Sequence, residues 1–150
     1  RSLYTFWKRT IPHPAMITMD ATRRGICEVK RQATSTPLQA LVLMNDPQYL
    51  EAARLLAYRM LAEGGETDQE RIAYAFRLLT SRSPQENEIQ LMQSYLAQER
   101  ERLQAEPESV ESILQIGKSN PELESSEEEW AAYTLLASAM LNLDETVSKS

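Results

Sequence analysis

The chain has 150 residues, 42% of them apolar and 25% charged, and a net charge of −6. A chain of that length can bury a core without metal or disulfide support. With one cysteine, one histidine and four glycines, it offers no internal disulfide, HExxH helix, CxxCH haem attachment, multi-histidine metal set or glycine-rich phosphate loop.

Leu, Ala, Glu, Gln and Arg dominate and Val/Ile/Thr runs are scarce, which predicts an all-α protein. Residues 1–9, RSLYTFWKR, fit the end of a helix with Leu3, Phe6 and Trp7 on one face. Pro12 and Pro14 forbid its continuation, and no sustained period follows until Thr36. Residues 1–35 are therefore read as an extended, irregular N-terminal segment, the tail of a preceding part of a longer parent. Residues 36–150 are read as an antiparallel multi-helix bundle.

Thr36-Pro37-Leu38-Gln39 places a hydroxyl at N-cap, proline at N1 and glutamine at N3, a capping box. The helix it opens, about 37–44, is apolar nearly all round and is expected to be buried. Asn45 can end it in a left-handed turn, Asp46 can cap the next helix, and Pro47 keeps the two from fusing. That next helix, about 47–63, sets Leu50, Ala53, Leu56, Ala57, Met60 and Leu61 on one stripe and ends at Gly64-Gly65. Thr67 with Glu70 opens another, with Ile72, Ala75, Phe76 and Leu79 inward. Ser83-Pro84-Gln85-Glu86 opens a fourth, running to about 105. Pro107 starts a short helix closed by Gly117. Ser126 with Glu129 caps a last one, whose inward stripe is Trp130, Tyr133, Leu136, Ala137, Met140 and Leu141. Repeated capping boxes with short connections are the pattern of a helical array.

Residues 1–33 carry seven bases against two acids, +5, whereas the remainder carries nine bases and twenty acids, −11. Such halves attract each other or pair with an absent part of the parent. The acidic remainder would repel phosphate, so the Tyr4/Phe6/Trp7 cluster beside Lys8-Arg9 makes a poor nucleic-acid surface. No apolar run approaches the roughly 20 residues of a membrane span. Glu99–Arg102 and Glu127–Glu129 read as solvated helix faces or helix starts. His13, between two prolines, reads as a surface or packing imidazole, and Cys27 as a small buried or idle thiol. No catalytic, cofactor-binding or metal constellation emerges.

RSLYTFWKRTIPHPAM, CEVKRQATSTPLQALVLMNDPQYLEAAR, RIAYAFRLLTSRSPQENEI and LLASAMLNLDETVSK, in that order, resemble the C-terminal part of the planctomycete-type domain of unknown function 1553. The resemblance implies a large exported bacterial parent, often with a planctomycete-type cytochrome c domain and sometimes a carbohydrate-binding-like or immunoglobulin-like module. It implies an extracytoplasmic location, partners among the parent's other domains, and carbohydrate contact through the parent. A haem c would belong elsewhere in that parent, and the resemblance assigns no cofactor here. Two readings stay open at this stage. One is a non-catalytic structural or interaction domain. The other is a contributor to a composite active site in polysaccharide processing or oxidation, with Arg23, Arg24, Cys27, Asn45 and Asp46 as the candidate residues.

Overall fold

The computed structural model describes residues 6, 11–21, 34, 36–119, 121 and 125–147. Among these, eight helices and no strands are found: α1 (Pro14–Thr18), α2 (Pro37–Asn45), α3 (Pro47–Glu63), α4 (Asp68–Thr80), α5 (Glu86–Ala105), α6 (Pro107–Leu114), α7 (Glu127–Leu141) and α8 (Asp144–Val147). The fold is all-α, as the composition predicts. The chain divides into two compact units, Arg1–Val42 and Leu43–Ser150.

In the first unit, a single helical turn, α1, interrupts the stretch expected to be irregular. Pro14 stands at its N1 position, where a missing N–H costs nothing, and the His13 carbonyl accepts from the Met16 and Ile17 amides. One turn is too short to raise a periodic signal. The Thr36 capping box forms in both directions: the Gln39 N–H donates to Thr36 Oγ1, and the Thr36 N–H donates to Gln39 Oε1 at 2.9 Å. Gln39 Nε2 then donates to the Thr18 carbonyl, to Asp20 Oδ2 and to Thr34 Oγ1, at 2.9–3.1 Å. Asp20 sits at φ 54°, a left-handed position open to aspartate. Its carboxylate also accepts from the Thr34 amide and hydroxyl. One buried amide thus ties α1 and the segment before α2 to the start of that helix.

In the second unit, α3 and α7 form the most extensive helix pair, and α4, α5 and α6 complete the packing around them. The core gathers Ala53, Leu56, Ala57, Met60 and Leu61 of α3 with Ile72, Ala75 and Phe76 of α4. Leu96 and Leu103 of α5 and Val110 of α6 join it. The α3 and α4 residues belong to the helical-period stripes that the sequence predicts. Helix α7 departs from its predicted single stripe. Ala131, Ala132, Thr134 and Ser138 are buried along with Trp130, Tyr133, Leu136, Ala137 and Met140, so α7 is enclosed on nearly every side. Alanines on both α3 and α7 allow the two backbones to approach closely. The Thr134 hydroxyl donates to the Trp130 carbonyl one turn back, so its burial strands no donor.

Helix ends follow the expected grammar with three shifts. The Thr67–Glu70 capping box forms with both arms. The N-cap of α5 is Gln85, not Ser83, and Glu88 rather than Glu86 reaches back to the Gln85 N–H. A carboxylate in the first turn serves from either place, so the spacing alone did not choose. At Ser126 only the forward arm forms, from the Glu129 N–H to the serine hydroxyl. The Glu129 carboxylate is engaged elsewhere. Helix α6 ends earlier than expected, with Gln115 as its C-cap; Gly117, at φ 94°, lies two residues beyond, where a Cβ would fall 2.6 Å from the Glu51 carboxylate. That carboxylate accepts from the Lys118 and Ser119 amides at 2.9 Å each, and these bonds hold its pKa below the usual range.

Candidate functional site

Of the sequence-derived candidates, Arg23, Arg24 and Cys27 lie outside the described residues, as do Tyr4 and Trp7. Asn45 and Asp46 stand at the α2–α3 corner. Asn45 remains the last residue of α2 and is not among the residues with positive φ, so the expected left-handed turn does not form. A one-residue link needs no reversal there, because Pro47 already prevents the two helices from merging. Asp46 does cap α3: its Oδ1 accepts from the Gln48 N–H at 2.9 Å, with Pro47 at N1. Asp46→Ala is expected to cost about 1 kcal/mol, read as a lower denaturation midpoint. An unchanged midpoint would return Asp46 to the list of groups with a role beyond the fold.

Helix α2 reverses its expectation. Leu38, Leu41 and Met44 are 59%, 57% and 48% exposed, whereas Gln39 is 4% exposed and Leu43 is also buried. At three-residue spacing the exposed apolar side chains share one side of the helix. The inward side is anchored by a polar amide, so α2 turns much of its apolar surface to solvent.

Three arginines organise the second unit. Arg100 of α5 reaches Asp68, the first residue of α4, with Nη1 and Nη2 at 2.7 and 3.0 Å. It also grips the Glu129 carboxylate of α7, with Nε at 2.9 Å and Nη2 on the second oxygen. The Tyr133 hydroxyl donates to Asp68 Oδ1 at 2.8 Å. Arg100, read from sequence as part of a solvated face, and Glu129, read as solvated or at a helix start and found in the first turn of α7, therefore bridge three helices and are partly buried. Arg100 depresses the Asp68 pKa, while burial and then Asp68 push the Tyr133 phenol up. An ionised, fully engaged carboxylate is a weak base and a raised phenol keeps its proton, so this cluster lacks a poised acid–base pair at neutral pH.

Arg82 spans Glu88 and Glu145, with four N–O distances of 2.7–2.9 Å, and stands 4.6 Å over the Phe76 ring. It ties the α4–α5 connection to α8, and holds the Glu88 carboxyl down at about 2, with help from the Gln85 N–H. Exposed pairs of this kind orient elements more than they stabilise them.

Arg54 is the third. Although charged, it is 2% exposed. Its guanidinium donates to the Leu114 and Ser119 carbonyls and lies 5.5 Å from the Trp130 ring, whose Nε1 donates back to the Arg54 carbonyl at 3.1 Å. Sequence reading passed over it, yet a signal was present. Position 54 lies four after Leu50 and three before Ala57, on the apolar stripe, where a cation must be buried or ruin the face.

Arg54 forms the floor of a cavity of about 620 Å³ walled by Val110 and Leu114 of α6 and by Trp130, with Glu111, Glu127 and Glu128 also lining it. A second cavity, about 350 Å³, includes Arg100 and Gln104 and shares Pro107 and Glu128 with the first. The two adjoin where α5 bends into α6, opposite the first turn of α7. Among the described residues no cluster of three or more His, Cys, Asp or Glu side chains could hold a metal ion. No helix among them is long and apolar enough to cross a membrane.

Fold and sites together define an all-helical protein whose charged clusters brace helices and which exposes, among the described residues, an apolar stripe on α2 and a half-apolar groove. The chain belongs to the family described as protein of unknown function (DUF1553), whose model, PSD1, matches residues 1–96. The match takes in α1 to α4 and ends within α5, so α6 and α7 lie beyond it. No curated protein and no solved structure matches the chain.

Proposed function

We propose that this chain is a non-catalytic interaction domain of a larger exported bacterial protein, and that its partners are other domains of that parent in an extracytoplasmic compartment. The observation that carries the reading is the inverted burial of α2, in which Leu38, Leu41 and Met44 face solvent and Gln39 faces inward. Clustered exposed apolar side chains on one helix face mark a surface that another body covers. The Arg82 and Arg100 clusters support the same reading, because each spends its carboxylates on joining helices. Membership of a family without an assigned activity is compatible with it, and the exported parent follows from the resemblance in the four sequence motifs.

The test compares the chain alone with the full-length parent, both carrying Cys27→Ser and Met44→Cys, during maleimide labelling. Rapid modification of the chain alone and at least about tenfold slower modification in the parent are expected. Equal rates in the two would defeat the proposal.

A further inference from the structure

The groove beside α7 is a second surface, and its charge says what it accepts. Between residues 103 and 147 ten acidic residues face one base, Lys118. Glu111, Glu127 and Glu128 are exposed at the larger cavity, and none of them takes part in an ion pair among the described residues. Glu129, their neighbour, is neutralised by Arg100. The α7 N-terminus contributes roughly half a positive charge, which two uncompensated carboxylates outweigh, so the rim is negative. The interior differs. Val110, Leu114 and the Trp130 edge supply apolar wall, and the Arg54 guanidinium at the floor repels any cation that goes deep. Glu128 and Pro107 continue the surface into the smaller cavity, which makes room for an extended occupant.

We propose that this groove binds an extended basic segment of a partner protein, with an apolar side chain in the cavity and Lys or Arg head groups at the Glu111, Glu127 and Glu128 rim. In an extended chain, successive side chains point to opposite sides, so alternating basic and apolar residues present both chemistries, while long basic side chains lay their stems on apolar surface and keep the charge at the mouth. Complementary charge supplies encounter rate and orientation, and the cavity supplies discrimination against simple polycations. The inference deepens the interaction reading by naming a partner chemistry, on a surface that shares no residue with the α2 stripe. The two can therefore fail separately, since Met44 labelling does not report on the groove.

The experiment is calorimetric titration of the full chain with the peptide Arg-Leu-Arg-Leu-Arg-Leu at about 0.15 M salt. Spermine serves as the apolar-free polycation. Two variants are compared: the double substitution Glu127→Gln/Glu128→Gln, which removes rim charge, and Gln115→Trp, which fills the mouth without changing charge. All three positions are exposed, and thermal melts check that both variants fold. Saturable one-to-one binding, weakened at least about tenfold by each variant and not matched by spermine, is the expected result. Absence of saturable binding, wild-type affinity in a folded variant, or equal binding of spermine would overturn the proposal.

Discussion

A chain ending at Ala105, which keeps the whole family-matched region and α1 to α5, is expected to lose cooperative unfolding. The cut removes α6, α7 and α8, and with α7 it removes Trp130, Tyr133, Leu136 and Met140 from the core, besides its buried alanines. Burying a large apolar side chain contributes roughly 1.5–3 kcal/mol, so those four alone account for about 6–12 kcal/mol. A domain's whole stability is about 5–15 kcal/mol. The loss is compounded on α3, whose Ala53, Leu56, Ala57 and Met60 would turn toward water once their most extensive partner is gone. Circular dichroism of the shortened chain should show helix without a sharp thermal transition, and dye binding to exposed apolar surface should rise. A sharp transition near that of the full chain would mean that α3, α4 and α5 close a core by themselves, contrary to the packing described.

Trp130→Ala is expected to be the costliest single substitution considered, about 3–5 kcal/mol by analogy with other buried aromatic truncations. Three effects combine. The ring leaves a cavity between α3 and α7, the Nε1 bond to the Arg54 carbonyl is lost, and the Arg54 guanidinium loses the aromatic surface beside it. The last effect matters because a buried guanidinium tolerates little loosening of its surroundings. Trp130→Phe separates the contributions, since it retains much of the volume and removes the N–H; a cost of about 1–2 kcal/mol is expected. Denaturant midpoints for both variants provide the check. A Phe variant as damaged as the Ala variant would place the weight on the hydrogen bond rather than on packing.

Helices α2 and α7 separate what is written locally in the chain from what is not. Both were recognised as helices, and their start signals are present: Thr36 bonds the Gln39 amide, and Ser126 bonds the Glu129 amide. The burial expected for α2 does not form, and that expected for α7 is correct but too narrow. Helix α2, read as apolar on all sides and therefore interior, exposes three of its five large apolar side chains. Helix α7, read as one-faced, is the enclosed centre of its unit. Small residues explain the second difference. Ala131, Ala132, Thr134 and Ser138 carry little hydrophobic signal, yet they suit a crowded interface in which backbones come close. For α2, a run of leucines reveals a need for cover without revealing which body provides it.

The candidate residues show the same division. Asp46 was read correctly as an N-cap, because Asp-Pro before an apolar run has a local mechanism. For Arg54, Arg100 and Glu129 the partners are distant in sequence, so the apolar stripe marks Arg54 as buried without naming what it meets: Arg54 meets residues 60 to 76 positions away, and Arg100 meets Asp68 and Glu129.

Helix identity, capping residues and the all-α class of this protein follow from interactions within a few residues of chain, and those are written locally. Rank of burial, the three arginine braces and the groove beside α7 depend on which surfaces meet once the helices assemble. That choice rests on shape and charge summed over distant segments, and no window of sequence contains it.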